Sequence, residues 1–398
     1  MKKLTVEDLS LLGKRVLMRV DFNVPLENGK VANDTRIRAA LPTIKYITEK
    51  GGRLILMSHL GRPGGSRVPE MSLLPCVAVL EKMLGRNVAF ADDCIGESAK
   101  AAVNRVADGE VLLLENLRFY KEETADDAAF AKKLAAFGDL YVNDAFGTAH
   151  RAHASTEGVT HYFGHCAAGF LMMKELEYLG DVIENPARPF IAILGGAKIS
   201  GKIDVITNLL PKVDKVIIGG GMAFTFFKAQ GLEIGNSLLE EDKIVIAKEI
   251  LAHGGDKLIF PVDCMITDFF DFKARKIGNL KEASVDAIPA GWESLDIGTK
   301  SIEKFRSVLS GARTVIWNGP MGVFEIPETA KGTYAIANLL AEATAGGAVT
   351  VIGGGDSASA VNKAGVTDKV SHVSTGGGAS LEFIEGRTLP GVAALTDK

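Results

Sequence analysis

Short, uninterrupted apolar runs alternate with longer stretches of helical periodicity along this chain, and they do so in two successive sets. The first set places strands at 16–20, 54–57, 111–114 and 140–142, with helical stretches such as 36–49, 74–84 and 126–136 between them. The second places strands at 190–194, 213–218, 258–260, 314–317 and 349–352. A strand that is apolar at every position must be covered on both faces, and helices between such strands supply the cover. The pattern therefore predicts a parallel sheet sandwiched by helices, twice over.

A length of 398 residues suits two such domains. The expected junction is 185–189, where Pro186 and Pro189 cannot continue the preceding helix and form a short connector. The domains expected are 1–184 and 190–385. The terminal piece, 386–398, is too short to fold alone and must dock on another part of the chain.

A net charge of -4 offers no basic excess for a nucleic-acid partner, and no apolar run is long enough for a membrane span. Glu7 and Asp8 interrupt the place where a signal peptide would need an apolar core. Cys76, Cys94, Cys166 and Cys264 are scattered, without a Cys-x-x-Cys pair, as reduced thiols of a cytoplasmic protein would be.

The strand ends of the two sets carry different chemistry. In open α/β sheets the ligand site forms beyond the carboxyl ends of the strands. The early strands run into Asp21, Asn23, His59, Arg62, Asn116, Arg118, Asp144, His150, Arg151 and His153. With Arg36, the arginines could gather into a pocket for a small multivalent anion, since the guanidinium fork suits phosphate and carboxylate. Each of them alone could equally be a solvated surface group. The later strands run into Gly195-Gly196, Gly219-Gly220-Gly221, Gly353-Gly354-Gly355 and Gly376-Gly377-Gly378. Glycine there lets bare backbone and helix-start N–H groups approach phosphate, although turns between strand and helix favour glycine in any case.

Two of these clusters carry ionisable groups. Residues 196–203, GAKISGKI, follow a strand and nearly match the phosphate-binding pattern G-x-x-x-x-G-K-[ST], but Ile203 lacks the hydroxyl that would bind magnesium. Lys198 and Lys202, at i and i+4, would share one face of a helix start and reach a phosphoryl group, or be a solvated pair. Asp356, after Gly355, would cap its helix or hold Mg²⁺ on a nucleotide phosphate. None of the clusters spells G-x-G-x-x-G, which speaks against a dinucleotide-dependent dehydrogenase.

These residues also resemble a known family. RVDFNVP (19–25), DTRI (34–37), SHLGRP (58–63), ENLRF (115–119) and NDAFGTAHRAHAS (143–155) look like the substrate-domain motifs of the phosphoglycerate kinases. GGAKISGK (195–202), GGGMAFTF (219–226), WNGPMGVFE (317–325), GGGDS (353–357) and STGGGAS (374–380) look like their nucleotide-domain motifs. The resemblance spans the whole chain in order. Gly201, Thr299 and Ser357 stand where the family commonly has aspartate, proline and threonine, and none of these departures removes a proposed contact.

The resemblance implies an α/β fold of two Rossmann-like domains facing a central cleft, with the C-terminal tail packed back on the first. It implies reversible phosphoryl transfer between ATP and the carboxylate of 3-phospho-D-glycerate, giving 1,3-bisphosphoglycerate and ADP, in a cytoplasmic monomer that closes during transfer. Asp21, Asn23, Arg36, His59, Arg62, Arg118 and Arg151 would hold 3-phosphoglycerate. Gly196, Ala197, Lys202, Gly219, Gly220, Asn318, Pro320, Glu325, Gly354, Gly355, Asp356 and Ser357 would hold the nucleotide, with Asp356 on Mg²⁺. Arg36, Lys198, Lys202 and the amides near Gly354 and Gly378 would surround the transferring group. A kinase for another small carboxylate, or a non-catalytic nucleotide-binding protein, are the rival readings.

Overall fold

The computed structural model describes residues 2–398. Its contacts divide the chain into two compact units, Met1–Glu177 with Thr388–Lys398, and Tyr178–Arg387. The division falls inside the helix Phe170–Glu184, ahead of the proline pair. The prolines end that helix, but its second half already belongs to the later unit, where Tyr178 stacks on His372 with ring centroids 4.8 Å apart.

The first unit is built on a six-stranded sheet, in the spatial order Ala89–Ala91, Val111–Leu114, Arg53–Met57, Arg15–Arg19, Leu140–Asn143, Cys166–Ala168. Every pairing is parallel. Val16, Leu17 and Met18 are all fully buried, so the central strand is covered on both faces, as its unbroken apolar run requires. The chain leaves this strand for one flank of the sheet and later returns to the other. That reversal opens a crevice at the strand's carboxyl end, immediately beyond Arg19.

The second unit holds another six-stranded parallel sheet, ordered Leu258–Ile259, Lys215–Ile218, Phe190–Leu194, Thr314–Asn318, Val349–Gly353, His372–Val373. This is the doubly wound order, whose crevice opens between the strands that end at Leu194 and Asn318. An antiparallel sheet of three strands (Leu280–Ser284, Asp263–Thr267, Glu293–Ile297) is inserted after the strand at 258–259, where strand–helix alternation predicts none. Leu280–Ser284 is mostly exposed and carries Lys281 and Glu282, so it lacks the apolar run that betrays a buried strand.

The tail closes the first unit. Thr396 accepts from Leu4 N at 2.8 Å and donates to Cys166 O at 3.0 Å, inserting between the N-terminal segment and the edge strand. Lys3 pairs with Asp397 at 2.7 Å, and Gly391 N donates to Ala149 O at 2.8 Å. All four cysteines are free and buried, and burial raises the thiols of Cys76, Cys166 and Cys264 to about 12. Among the described residues no helix is long and apolar enough to cross a membrane.

Candidate active site

In the first unit the loops beyond the strands are tied to one another through polar groups. Arg36, in the first turn of the helix Thr35–Glu49, sets Nη1 3.1 Å from Asp21 Oδ2 and donates to Asn23 O at 2.9 Å. Asn23 Oδ1 in turn accepts from Gly61 N at 2.9 Å, and Arg118 Nη1 donates to Gly61 O at 2.8 Å. Asn116 is spent internally. Its amide donates to Leu60 O and Met71 O and accepts from Leu60 N and Arg118 N, clamping the loop at 58–62 to the one at 116–118.

Beside these loops lies a cavity of about 520 Å³ lined by Arg62, Lys121, Arg118, Arg151 and His153, with no carboxylate in its lining. Arg62 and Arg151 are exposed, and Arg118 is buried. Burial, followed by repulsion from Arg19 and Arg151, lowers Arg118 to about 10, and its Nε is enclosed without a partner. Cations crowded together, with the nearest carboxylates Glu123 and Asp21 outside the lining, make a site that an anion stabilises.

Beneath the cavity the candidate residue His59 joins a network whose other members, Arg19, Ser155 and Glu123, are not among the candidate residues of the sequence. Arg19 is fully buried. It donates from Nε to Ser155 Oγ at 2.7 Å, from Nη1 to Val20 O, and from Nη2 to His59 Nδ1 at 3.1 Å. Its counter-charge is the fully buried Glu123, 4.0 Å away, which accepts from Ser155 Oγ at 2.6 Å and Ser155 N at 3.0 Å. Burial, then Arg19, Arg118, Arg36 and His153, hold His59 well below its ordinary range, so the ring is neutral. His153, lowered to about 4 chiefly by burial, is neutral as well, and its approach of 3.8 Å to Glu123 is not an ion pair. A charged residue ending an otherwise apolar strand was the available signal for Arg19.

In the second unit the glycine turns interlock. Gly196 N donates to Pro320 O at 2.9 Å, Gly220 N to Met321 O at 3.2 Å, and Met222 N to Gly196 O at 3.1 Å. A Cβ on Gly319 would overlap Gly195 O, and one on Gly220 would sit 2.5 Å from Gly196 O. Turn packing thus demands some of these glycines. Gly196 and Gly355, by contrast, face open space. Gly319 has φ +99, so Gly319→Ala adds strain to the clash. It is expected to lower stability by about 1–3 kcal/mol, read as an earlier unfolding midpoint in urea.

Against these turns lies a second cavity, of about 330 Å³, and Gly196, Ala197, Gly220, Pro320, Glu325 and Asp356 contribute to its wall. The rest of the wall is largely apolar (Phe224, Leu238, Leu295, Met321, Val323), supplied partly by the inserted antiparallel sheet. This apolar side was not read from the sequence. Asp296 also lines it, accepting from Gly332 N at 2.7 Å and Ile297 N at 2.9 Å while burial raises it to about 7. Gly219, Lys202, Asn318, Gly354, Gly355 and Ser357 lie outside this lining. Lys202 Nζ donates to Asn318 Oδ1, and Asn318 Nδ2 is enclosed without a partner beside Gly354. Ser357 Oγ accepts from Gly319 N at 2.7 Å.

One expectation is corrected here. Lys198 and Lys202 do not share a helix face, because residues 195–202 form an irregular turn and the helix begins at Ile203. Ile199 is buried and pins that turn, leaving Lys198 exposed and Lys202 mostly buried at the helix N-cap. Burial lowers Lys202 to about 8, although Glu385 and Asp356 pull the other way. Asp356 is exposed in the first turn of Gly355–Lys363 and makes no capping hydrogen bond, so the capping alternative lacks its contact. Gly378 opens the short helix Gly378–Ile384.

Two doubly wound units, one with a cation-lined cavity and one with glycine turns beside an apolar slot, define a nucleotide-dependent transferase acting on a small anion. The chain belongs to the phosphoglycerate kinase family, whose model matches residues 6–387. A phosphoglycerate kinase of Chloroherpeton thalassium is 59% identical over the full length of both chains. The chloroplastic phosphoglycerate kinase of Volvox carteri is 56% identical, over all of this chain and 87% of the relative. Among solved structures, phosphoglycerate kinase from Coxiella burnetii superposes with a TM-score of 0.88 at 40% identity, over 98% of each chain. That from Pyrococcus horikoshii gives 0.85 at 34% identity, again over 98% of each.

Proposed function

We propose that the chain transfers a phosphoryl group reversibly between ATP and the carboxylate of 3-phospho-D-glycerate, giving 1,3-bisphosphoglycerate and ADP, as a cytoplasmic monomer. The observation that carries this reading is the carboxylate-free cluster of Arg62, Lys121, Arg118 and Arg151, which suits a ligand bearing both a phosphate and a carboxylate. In this reading the first unit, Met1–Glu177 with Thr388–Lys398, is the substrate domain and the second, Tyr178–Arg387, is the nucleotide domain. Asp21, Asn23, Arg36, His59, Arg62, Arg118 and Arg151 hold the triose. The nucleoside occupies the apolar slot, with Glu325 available to its ribose hydroxyls.

The acceptor carboxylate is already ionised near neutral pH and needs no general base. The work left to the protein is alignment and neutralisation of the in-line phosphoryl group. Arg36 serves from the substrate side, and Lys202, Lys198 and the amides at Gly354 and Gly378 serve from the nucleotide side. Asn318 Nδ2, an enclosed donor without an acceptor, suits a phosphate oxygen. Because the two ligands belong to different domains, transfer requires the domains to close and exclude water.

Mg²⁺ fits the donor set. Among the described residues no cluster of three or more His, Cys, Asp or Glu could hold a metal ion. Asp356, exposed in the wall of the second cavity, would hold the metal together with phosphate oxygens, the arrangement magnesium favours. When bound it neutralises charge on the nucleotide phosphates. Asp356→Asn should weaken Mg-ATP binding at least tenfold, by calorimetry, with thermal stability near wild type. A large stability loss with intact binding would return Asp356 to a structural role.

A coupled assay tests the whole reading: ATP consumption should require both 3-phosphoglycerate and magnesium. Turnover with a different small carboxylate instead would identify another kinase, and none with any would leave a nucleotide-binding protein.

A further inference from the structure

We propose that Arg19 is a positioning residue that holds His59 as the neutral imidazole protonated on Nε2, making that N–H a fixed donor to an oxygen of the bound substrate. The proposal rests on the reading that this mouth holds 3-phosphoglycerate. An arginine has five N–H donors and no acceptor, so the 3.1 Å contact from Arg19 Nη2 obliges His59 Nδ1 to accept. A neutral ring that accepts at Nδ1 carries its proton on Nε2. Nε2 makes no hydrogen bond with any described residue and is not among the enclosed polar atoms, so it is free to meet a ligand.

Arg19 is itself held from three sides. Ser155 Oγ accepts from its Nε, Val20 O accepts from its Nη1, and Glu123 balances its charge from 4.0 Å. Ser155 bonds Glu123 through both its hydroxyl and its backbone N–H, so the carboxylate, the hydroxyl and the guanidinium form one chain ending on the imidazole. None of this chain is exposed, and a side chain as long as arginine is rarely so enclosed without a task.

The other charged and titratable groups around His59 favour the same form. Arg118, Arg36 and His153 act on it from neighbouring elements, and all oppose a second proton on the ring. Among the described residues Asp21 is the one carboxylate within 4.0 Å of the ring, through Oδ1, and Arg36 engages its Oδ2 at 3.1 Å. A neutral donor suits this mouth. It binds an anion's oxygen without adding to the repulsion among the arginines, and its donor count does not change across physiological pH.

The test uses the whole protein with ¹⁵N-labelled histidine. Long-range ¹H–¹⁵N correlation spectra distinguish the two neutral tautomers and the cation by their cross-peak patterns. In the free wild-type enzyme His59 should show the Nε2–H tautomer alone, unchanged between about pH 5.5 and pH 8. Arg19→Met would strand Glu123 as a lone buried charge and could unfold the domain, so the comparison is the neutral pair Arg19→Met/Glu123→Gln. In that variant His59 should mix tautomers and titrate nearer its ordinary value of about 6.5. KM for 3-phosphoglycerate should exceed the wild-type value several-fold at pH 8, and that excess should shrink at the pH where the variant's His59 is seen to protonate. An Nδ1–H or cationic ring in wild type overturns the proposal, as does a folded double variant that keeps a single invariant tautomer. Failure of 3-phosphoglycerate to bind wild type, with the tautomer as expected, would instead count against the substrate reading.

Discussion

Arg36→Ala should lower kcat by roughly 10²–10³ while leaving the Kd for ATP within about twofold of wild type. Arg36 stands in the first turn of its helix with Nη1 fixed by Asp21 and by Asn23 O, so its guanidinium plane is set by the protein itself. About a third of the side chain remains exposed, which leaves donors available on the ligand side. A group so placed contributes little to holding ATP, because it belongs to the other unit from the glycine turns. Its charge matters most when negative charge spreads over the transferring phosphoryl oxygens. Arg36→Lys should recover only a small part of the loss, since an ammonium cannot keep the planar contacts to Asp21 and Asn23 while also reaching the phosphoryl group. Steady-state kinetics with saturating ATP and 3-phosphoglycerate decides the matter, and kcat near wild type in Arg36→Ala would remove the residue from the transfer step.

The central strands were legible in the sequence for a physical reason. A strand covered on both faces must be apolar throughout, and 111–114 and 190–194 coincide with the observed strands. Three of the four edge strands escaped, Leu258–Ile259 being the exception. Ala89–Ala91, Cys166–Ala168 and His372–Val373 are two or three residues long, and alanine gives no β signal. The antiparallel insertion escaped because charged residues (Asp263, Lys281, Glu282, Asp296) interrupt its strands, and with it went the apolar wall of the second unit's cavity. The basic mouth could be read because arginines directly follow strands. The buried ties beneath it could not, since Glu123 and Ser155 meet Arg19 across 104 and 136 positions respectively, counted from the residue numbers. The glycine clusters hold both kinds of position that the sequence leaves open: Gly195 and Gly220, like Gly319 beside them, permit backbone to touch backbone, and Gly196 and Gly355 leave backbone open. Sequence spacing cannot separate these cases, because both need the same absent side chain.

The second large effect concerns Lys202, for which Lys202→Ala should also cost roughly 10²–10³ in kcat. Its environment makes a further demand that the substitution can test. Burial lowers Lys202 to about 8, so in the free enzyme the ammonium predominates below that pH and is lost as pH rises through it. A lysine whose charged form is disfavoured by burial regains it when an anion arrives, because phosphate adds an attraction that Glu385 and Asp356 only begin to supply. Binding and protonation are therefore linked. The free-enzyme profile, kcat/KM for ATP, should fall about tenfold for each pH unit above about 8, whereas kcat should hold to higher pH because the bound phosphates keep Lys202 charged. Nζ donates to Asn318 Oδ1, which orients it without supplying charge. Lys202→Ala should thus lose both the rate and the alkaline limb in kcat/KM. If the limb survives the substitution it belongs to another group, and if kcat survives, Lys202 binds nucleotide without stabilising its transfer.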